Sequence, residues 1–174
     1  MARRTRTYVA FDADSDIHMY RLMQAWTAND GNDFDFNNAH DLTTIREDSG
    51  EDAIKRSLRE RMNNSKIFVL LVGEETKRLR KYVPWEIEIA QKADLPIIVV
   101  NLNKKREMDP QLCPTALQTA LAVHIPYGQD IMQIALDGWA NYHAQFRREG
   151  KDGPSSYTAE TYQKIDAQKL YSTR

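Results

Sequence analysis

Three short, almost continuously apolar runs constrain the fold of this chain more than any other feature of its sequence. They cover residues 7–11, 67–72 and 96–102, and they are rich in Val and Ile. Runs of this length and composition are typical of strands in a parallel sheet that is covered on both faces. Two weaker strand candidates cover residues 33–37 and 122–126.

Amphipathic helical patterns separate the predicted strands. Apolar residues recur at helical spacing after Asp16 and over residues 51–63, 82–93 and 130–147, and in each segment they share one face. Strands that alternate with helices predict an α/β protein whose parallel sheet has helices on both faces. Five strands fit a flavodoxin-like, three-layer arrangement with strand order 2-1-3-4-5. Ligands of such sheets bind beyond the carboxyl ends of the strands, at the switch point between the first and third strands.

The length of the chain, 174 residues, predicts one domain of ordinary size. The composition changes after Arg147, where a polar, Gly- and Ser-containing stretch is typical of a linker. We therefore expect a domain over residues 1–147 and a polar extension over residues 148–174, in which residues 157–171 can form a short docking helix.

Composition excludes several classes of function. Lys and Arg together number 24 against 25 Asp and Glu, and this balance argues against a generic nucleic-acid binder. The single Cys113 excludes an internal disulfide framework and cysteine-rich zinc sites, and the four histidines lack metal-binding spacing. No apolar stretch approaches the ~20 residues of a membrane helix, and the run after the basic start is too short for a signal peptide. We expect a cytoplasmic protein with no metal and no membrane segment.

Motifs of several families with related folds are absent. A response-regulator receiver needs an Asp after the third strand and a Lys after the fifth, and the sequence has neither. There is no Gly-rich dinucleotide or Walker-type phosphate loop, and no hydroxyl- and Gly-rich loop of the flavodoxin kind after the first strand. A Gly-x-Ser-x-Gly elbow is also absent, which argues against a hydrolase triad.

Carboxylates follow the first predicted strand at the edge of the sheet where ligands bind. Asp14 and Asp16 are explained most simply by capping of the next helix, for which Ser15 is a further candidate. Asp12 comes directly after the strand and is less easily explained in this way, so it is a candidate binding residue.

The most specific segment is Lys81-Tyr-Val-Pro-Trp-Glu-Ile-Glu-Ile-Ala90. Pro84 suits the first turn of a helix, which places Glu86 in that turn and directs it towards the carboxyl edge of the sheet. Glu88 faces a different way, towards solvent. Glu86 is either a functional carboxylate or an acid that complements the helix dipole.

The stretch from Arg6 to about Tyr142 resembles the TIR-like domain of the bacterial Thoeris antiphage systems, of the ThsB type. The resemblance covers roughly three quarters of the chain. Five segments carry it in the right order: residues 7–12, 49–58, 63–73, 82–87 and 97–103.

This resemblance implies roles for individual residues. Glu86 matches the catalytic glutamate at the start of the third helix, and the aromatic Trp85 precedes it. Phe11, after the first strand, and Asn103, after the fourth, match residues that line the pocket of the family. The segment 38–48 matches a mobile loop that covers the site.

His40 and Asp41 lie in that loop and are expected to contact substrate. The implied activity is cleavage of the nicotinamide–ribose bond of NAD+, which is a substrate here and not a tightly bound cofactor. The product would be a signalling nucleotide, either a cyclic ADP-ribose isomer or an amino-acid conjugate. The resemblance further implies self-association through TIR surfaces, a phage trigger of unknown identity and a separate effector protein that the product activates.

Other functions stay open at this level. Many TIR sequences have a Cys before the catalytic Glu, whereas Val83-Pro84-Trp85 occupies that place here. A non-catalytic TIR-like interaction module is one alternative, and an enzyme similar to nucleoside 2-deoxyribosyltransferases, which also uses a Glu, is another. Convergence of Glu86, Phe11, Trp85 and Asn103 on one open pocket would favour the NAD+ enzyme.

Overall fold

The computed structural model describes residues 5–29, 34–37 and 50–172. Its strands are β1 (Thr5–Ala10), β2 (Phe34–Asn37), β3 (Ile67–Val72), β4 (Ile97–Asn101), β5 (Ala122–Pro126) and β6 (Pro154–Ser156). Its helices are α1 (Ala13–Asn29), α2 (Glu51–Met62), α3 (Val83–Lys92), α4 (Thr115–Gln118), α5 (Gln129–Arg148) and α6 (Ala159–Ser172), with one 3-10 turn at Thr76–Arg78.

The strands form one parallel sheet in the order β2-β1-β3-β4-β5-β6. The predicted α/β fold and the predicted strand order 2-1-3-4-5 are confirmed, and β6 adds a sixth strand beside β5. Each helical connection returns the chain to the same end of the sheet, as parallel pairing requires. The carboxyl ends of β1, β3 and β4 therefore meet at one edge, where the candidate site residues were expected.

Alternate residues of the central strands enter two separate cores, because successive side chains of a strand point to opposite faces. On β3, Val69 and Leu71 pack with α1, α5 and α6, and we call this side the α1 face. Phe68 and Leu70 pack on the other side with α2, α3 and α4, which we call the α3 face. All six residues of β3 are buried, as the unbroken apolar run predicts.

The segment from residue 148 onward continues the same sheet and core. β6 pairs with β5 through Ala122–Pro154, Val123–Ser155 and His124–Ser156. The following helix, α6, places Tyr162 and Ile165 in the core of the α1 face, where both are more than nine-tenths buried. The predicted polar extension thus contains a helix that docks on the domain, and the sheet itself extends past residue 147.

In the described part of the chain, no helix combines the length and apolar character that crossing a bilayer requires.

Candidate functional site

Glu86 lies in the first turn of α3 and points into the α3 face of the sheet. Pro84 occupies the start of this helix, as predicted, and Glu86 donates its backbone N–H to the carbonyl of Tyr82 at 2.8 Å. Only 3% of the Glu86 side chain is exposed. Glu88 is exposed instead and pairs with Lys92 at 2.6 Å. The helical spacing therefore buries one of the two acids and leaves the other in water.

Tyr8 of β1 holds the buried Glu86 carboxylate. Its hydroxyl donates to Glu86 Oε1 at 2.7 Å, between groups that are 78 residues apart in sequence. Burial raises the pKa of Glu86 to about 7, although the Tyr8 hydroxyl and the positive charge of Arg61 both oppose that rise. Burial and the neighbouring carboxylate also raise the pKa of Tyr8, so its hydroxyl keeps its proton. Glu86 thus changes charge near neutral pH, which is typical of functional carboxylates.

A strained backbone precedes the helix that carries Glu86. Tyr82 caps α3 with φ 61° and ψ −79°, a conformation that costs a non-glycine residue on the order of 1–3 kcal/mol. The carbonyl of this same residue accepts the Glu86 N–H. The strain therefore lies in the residue that fixes the first turn of α3 and the position of the Glu86 side chain.

Trp85 lies next to Glu86 but contacts different groups. Its half-buried ring lies 5.2 Å from the Lys55 ammonium of α2, measured to the ring centroid, and meets the edge of Tyr82 at 5.7 Å. A cation over an aromatic face is attracted by the ring quadrupole. Trp85 therefore joins α3 to α2 at the surface beside the buried carboxylate.

Phe11 follows β1 on the opposite side of the sheet from Glu86. It is 6% exposed, belongs to the core of the α1 face and stacks on Tyr20 of α1, with ring centroids 4.6 Å apart. Tyr8 belongs to the core of the α3 face. Phe11 is therefore a core residue here, and the sheet separates its ring from the Glu86 side chain.

Asp12 caps α1. Its Oδ1 accepts the backbone N–H of Asp14 at 3.1 Å, and its carbonyl accepts the N–H of Asp16 at 2.8 Å. Asp12 thus performs the capping that the sequence analysis gave to Asp14, Ser15 or Asp16, because it is the last residue before the helix. Among the described residues, Asp16 Oδ2 has no hydrogen-bond partner. Burial, with the nearby Asp12 charge, raises the Asp16 pKa.

Asn103 follows β4 in an exposed turn. Its amide donates to Asp109 Oδ2 at 2.9 Å, and its oxygen accepts the N–H of Lys105 at 3.2 Å. Asp109 is 2% exposed, and its bond from Lys105, supported by Gln111 and Asn103, lowers its pKa to about 2. Asn103 thus belongs to a network that fixes this turn around a charged Asp109.

His40, Asp41 and the loop over residues 38–48 fall outside the described residues. Within the residues that the structure describes, no group of three or more His, Cys, Asp or Glu side chains is arranged to hold a metal ion. Three cavities of about 180, 240 and 270 Å³ occur in this part of the protein, and none of the three is lined by Glu86, Phe11, Trp85 or Asn103.

Two residues of this site, Tyr8 and Arg61, were not predicted from the sequence. The alternation of side chains along β1 was a usable signal for Tyr8. Tyr8 and Ala10 face one core, and Val9 faces the other. Arg61 lies near the end of α2, whose pattern identifies only its buried face, Ile54, Leu58 and Met62. Its effect on Glu86 follows from the packing of α2 against α3, which sequence spacing alone does not give.

Comparison with protein families shows which family the chain belongs to. The model of the Thoeris protein ThsB TIR-like domain matches residues 8–107, a span that begins at Tyr8 and includes Glu86. No curated protein matches the chain. The match covers more than half of the sequence and agrees with the parallel sheet described above, so the protein belongs to the ThsB-type TIR-like family of Thoeris antiphage defence.

Proposed function

We propose that the protein cleaves the bond between nicotinamide and ribose in NAD+ and that the Glu86 carboxylate stabilises the transition state. This bond breaks with positive charge developing on the ribose, and a carboxylate below the ring is complementary to that charge. Nicotinamide leaves as a neutral molecule and requires no proton. One acid therefore suffices, and the reaction needs no paired general acid.

The environment of Glu86 supports this proposal. A buried carboxylate interacts with a developing cation more strongly than one in water, because the surrounding medium screens the charges less. Tyr8 orients the carboxylate through a 2.7 Å hydrogen bond, so Glu86 is positioned before substrate binds. The pKa of about 7 leaves a substantial fraction of Glu86 ionised at neutral pH. The family match supports the same proposal independently.

Most of the other predicted residues take supporting roles in this proposal. Trp85 is the aromatic side chain at the surface beside Glu86 and would stack on nicotinamide or adenine. Asp12 and Asn103 would bind hydroxyl or phosphate oxygens at the carboxyl edge. Phe11 has no place in this arrangement, because its ring lies in the core of the α1 face, across the sheet from Glu86. His40 and Asp41 would contact substrate from the loop. Asn103 must exchange its contact with Asp109 to take part.

The proposed pathway includes further steps beyond bond cleavage. Transfer of the ADP-ribose group to one of its own atoms gives a cyclic isomer, and transfer to an amino acid gives a conjugate. Either nucleotide would activate a separate effector protein after a phage trigger. Self-association through TIR surfaces would complete the site.

The test measures NAD+ consumption by the purified chain at high concentration and at pH 8, where Glu86 is ionised, with histidine and other amino acids present. Glu86→Gln should abolish turnover, since the amide keeps the shape and loses the charge. Glu88→Gln, on the exposed face of the same helix, is the matched control and should retain activity. Product masses distinguish cyclisation from conjugation. The same comparison in lysate from phage-infected cells tests whether turnover needs an activator that the purified protein lacks.

Two observations favour a second candidate function, a non-catalytic assembly module. Glu86 is buried, and Phe11 lies across the sheet from it, so the four predicted residues do not converge on one open pocket. In such a module the Tyr8–Glu86 hydrogen bond joins α3 to β1 and does no chemistry. Equal NAD+ levels with wild type and Glu86→Gln, in buffer and in infected lysate, would contradict the enzyme and support the module.

A further inference from the structure

We propose that the cavity between α5, β6 and α6 binds a neutral, planar aromatic heterocycle of the size of a nucleobase. The cavity has a volume of about 270 Å³, which is close to the small end of the roughly 300–1,000 Å³ found for ligand sites. It lies in the part of the chain that follows residues 8–107, and the site proposed for NAD+ cleavage does not use it.

Four aromatic side chains form a large part of the wall. Trp139, Tyr142 and Phe146 recur along one side of α5, and Tyr157 follows β6. Trp139 is 2% exposed and forms the base, whereas Tyr142 is 50% exposed and lies at the opening. A cavity with this wall presents ring faces and edges to a flat ligand, and such contacts contribute beyond the apolar area that they bury.

Polar groups in the wall lack partners. Trp139 Nε1 and Tyr157 Oη are buried, and neither has a hydrogen-bond partner among the described residues. An indole N–H can only donate, and burial raises the pKa of Tyr157 to about 12, so its hydroxyl also carries a proton. A buried donor without an acceptor is costly. Both donors would suit ring nitrogens or a carbonyl oxygen, but both atoms are enclosed by protein, so a ligand in the cavity reaches them only if the side chains around them move.

Hydroxyl groups complete the lining, and charged groups do not contribute to it. Ser155, Ser156, Thr158 and Thr161 surround the opening, and each can donate or accept. None of the residues that line this cavity is acidic or basic. A phosphate or carboxylate would lose water here without gaining a countercharge. The lining therefore favours an uncharged ring inside the cavity.

The cavity and Glu86 lie on different sides of the sheet. Val123 and Trp139 belong to the core of the α1 face, whereas the Glu86 partner Tyr8 belongs to the α3 face. Strands β3, β4 and β5 intervene between β1 and β6. Binding in this cavity is therefore independent of the proposed reaction, and its test does not depend on activity.

The test titrates adenine into the full-length, ¹⁵N-labelled protein and follows the indole N–H signals of Trp26, Trp85 and Trp139. Trp139→Phe identifies the signal of interest. Adenine should move the Trp139 signal saturably, with a Kd of about 1 mM or tighter, and should leave the Trp26 and Trp85 signals in place.

Two variants with intact Trp139 keep the test decisive if Trp139→Phe does not fold. Ser156→Phe fills the opening from an exposed position and should weaken adenine binding at least about tenfold. Gln163→Phe adds the same ring on the exposed side of α6, outside the cavity, and should change nothing. The proposal is overturned if adenine leaves the Trp139 signal unmoved or if Ser156→Phe binds adenine like wild type.

Discussion

The Tyr8 hydroxyl and the Glu86 carboxylate lie 2.7 Å apart and join the first strand to the third helix inside the protein. The donor is a group that keeps its proton, and the acceptor has a pKa of about 7. Small changes in pH or in the donor therefore change the charge of Glu86. Because Glu86 ionises near pH 7, both the proposed reaction and the free energy of unfolding should depend on pH in this range.

The activity of the free enzyme should rise with pH through a midpoint near 7, because the proposed reaction needs ionised Glu86. Tyr8→Phe removes the hydrogen bond that favours the charged form, so the midpoint of kcat/KM should move to higher pH. The loss of one bond of about 1 kcal/mol lowers the ionised-to-protonated ratio about fivefold. Tyr127→Phe, which loses a hydrogen bond to the carbonyl of Met19, is the control and should leave the midpoint in place. Identical pH profiles of kcat/KM for wild type and Tyr8→Phe would show that Tyr8 does not affect the ionisation of Glu86.

The free energy of unfolding should depend on Glu86 in the opposite sense. The carboxyl has a folded pKa of about 7, above its ordinary value of 4.5. Its stabilising contribution is present below pH 4.5 and is lost as pH rises towards 7, because the unfolded chain releases the proton first. Glu86→Gln lacks this dependence. In urea unfolding, the free energy of unfolding of Glu86→Gln relative to wild type should therefore rise by roughly 3 kcal/mol between pH 4 and pH 8. A constant difference over that range would mean that Glu86 has an ordinary pKa.

Gly73→Ala should destabilise the protein by about 1–3 kcal/mol, the usual cost of overpacking. A Cβ at position 73 would lie 2.7 Å from Asp16 Oδ1 and 2.8 Å from Asp16 Cγ, and Asp16 is 92% buried. The same change in an Asp16→Ala background should cost less than about 0.5 kcal/mol, so the two changes together should destabilise the protein by less than the sum of their separate effects in a double-mutant cycle. Additive effects would show that the carboxylate can move away from the added methyl group.

Ile165→Ala should destabilise the whole domain by about 2–4 kcal/mol, because it removes packed methyl groups from the core. Ile165 is 7% exposed and packs with the residues of α5 on the α1 face. Lys164→Ala, on the exposed side of the same helix, should change stability by less than about 0.5 kcal/mol. The measurement is chemical denaturation followed by tryptophan fluorescence. Loss of α6 alone, with an unchanged main transition, would show that residues 148–174 fold separately.

Much of the fold is predictable because its cues are local. The unbroken run Ile67–Val72 and the helical spacing of Val83, Ile87 and Ala90 each identify an element without reference to the rest of the chain. β6 has no such cue, since Pro154–Ser156 is short, polar and starts with a proline. It pairs with β5, and the helix that follows it places Tyr162 and Ile165 in the core, which are tertiary contacts that local patterns do not give.

The candidate site was predictable in part for the same reason. Helix spacing alone places Glu86 and Glu88 on different sides of α3. The partner of Glu86 depends instead on which face of β1 turns towards α3, and one residue of difference separates Tyr8 from Val9. Phe11 was assigned to the site without regard to this alternation. It lies at the expected edge of the sheet but on the α1 face, whereas Glu86 lies on the α3 face. Asn103 is held by Asp109, six residues away, in a turn without a repeating pattern.

The short last strand also determines how this sheet meets other molecules. β6 forms one border of the sheet, and it has three residues, the first of which is a proline without a backbone N–H. Short, proline-containing borders are poor templates for further strands, so they protect a protein against ordered aggregation. Copies of the protein cannot readily extend this sheet past β6, so the self-association proposed above would have to use the helices or other parts of the surface.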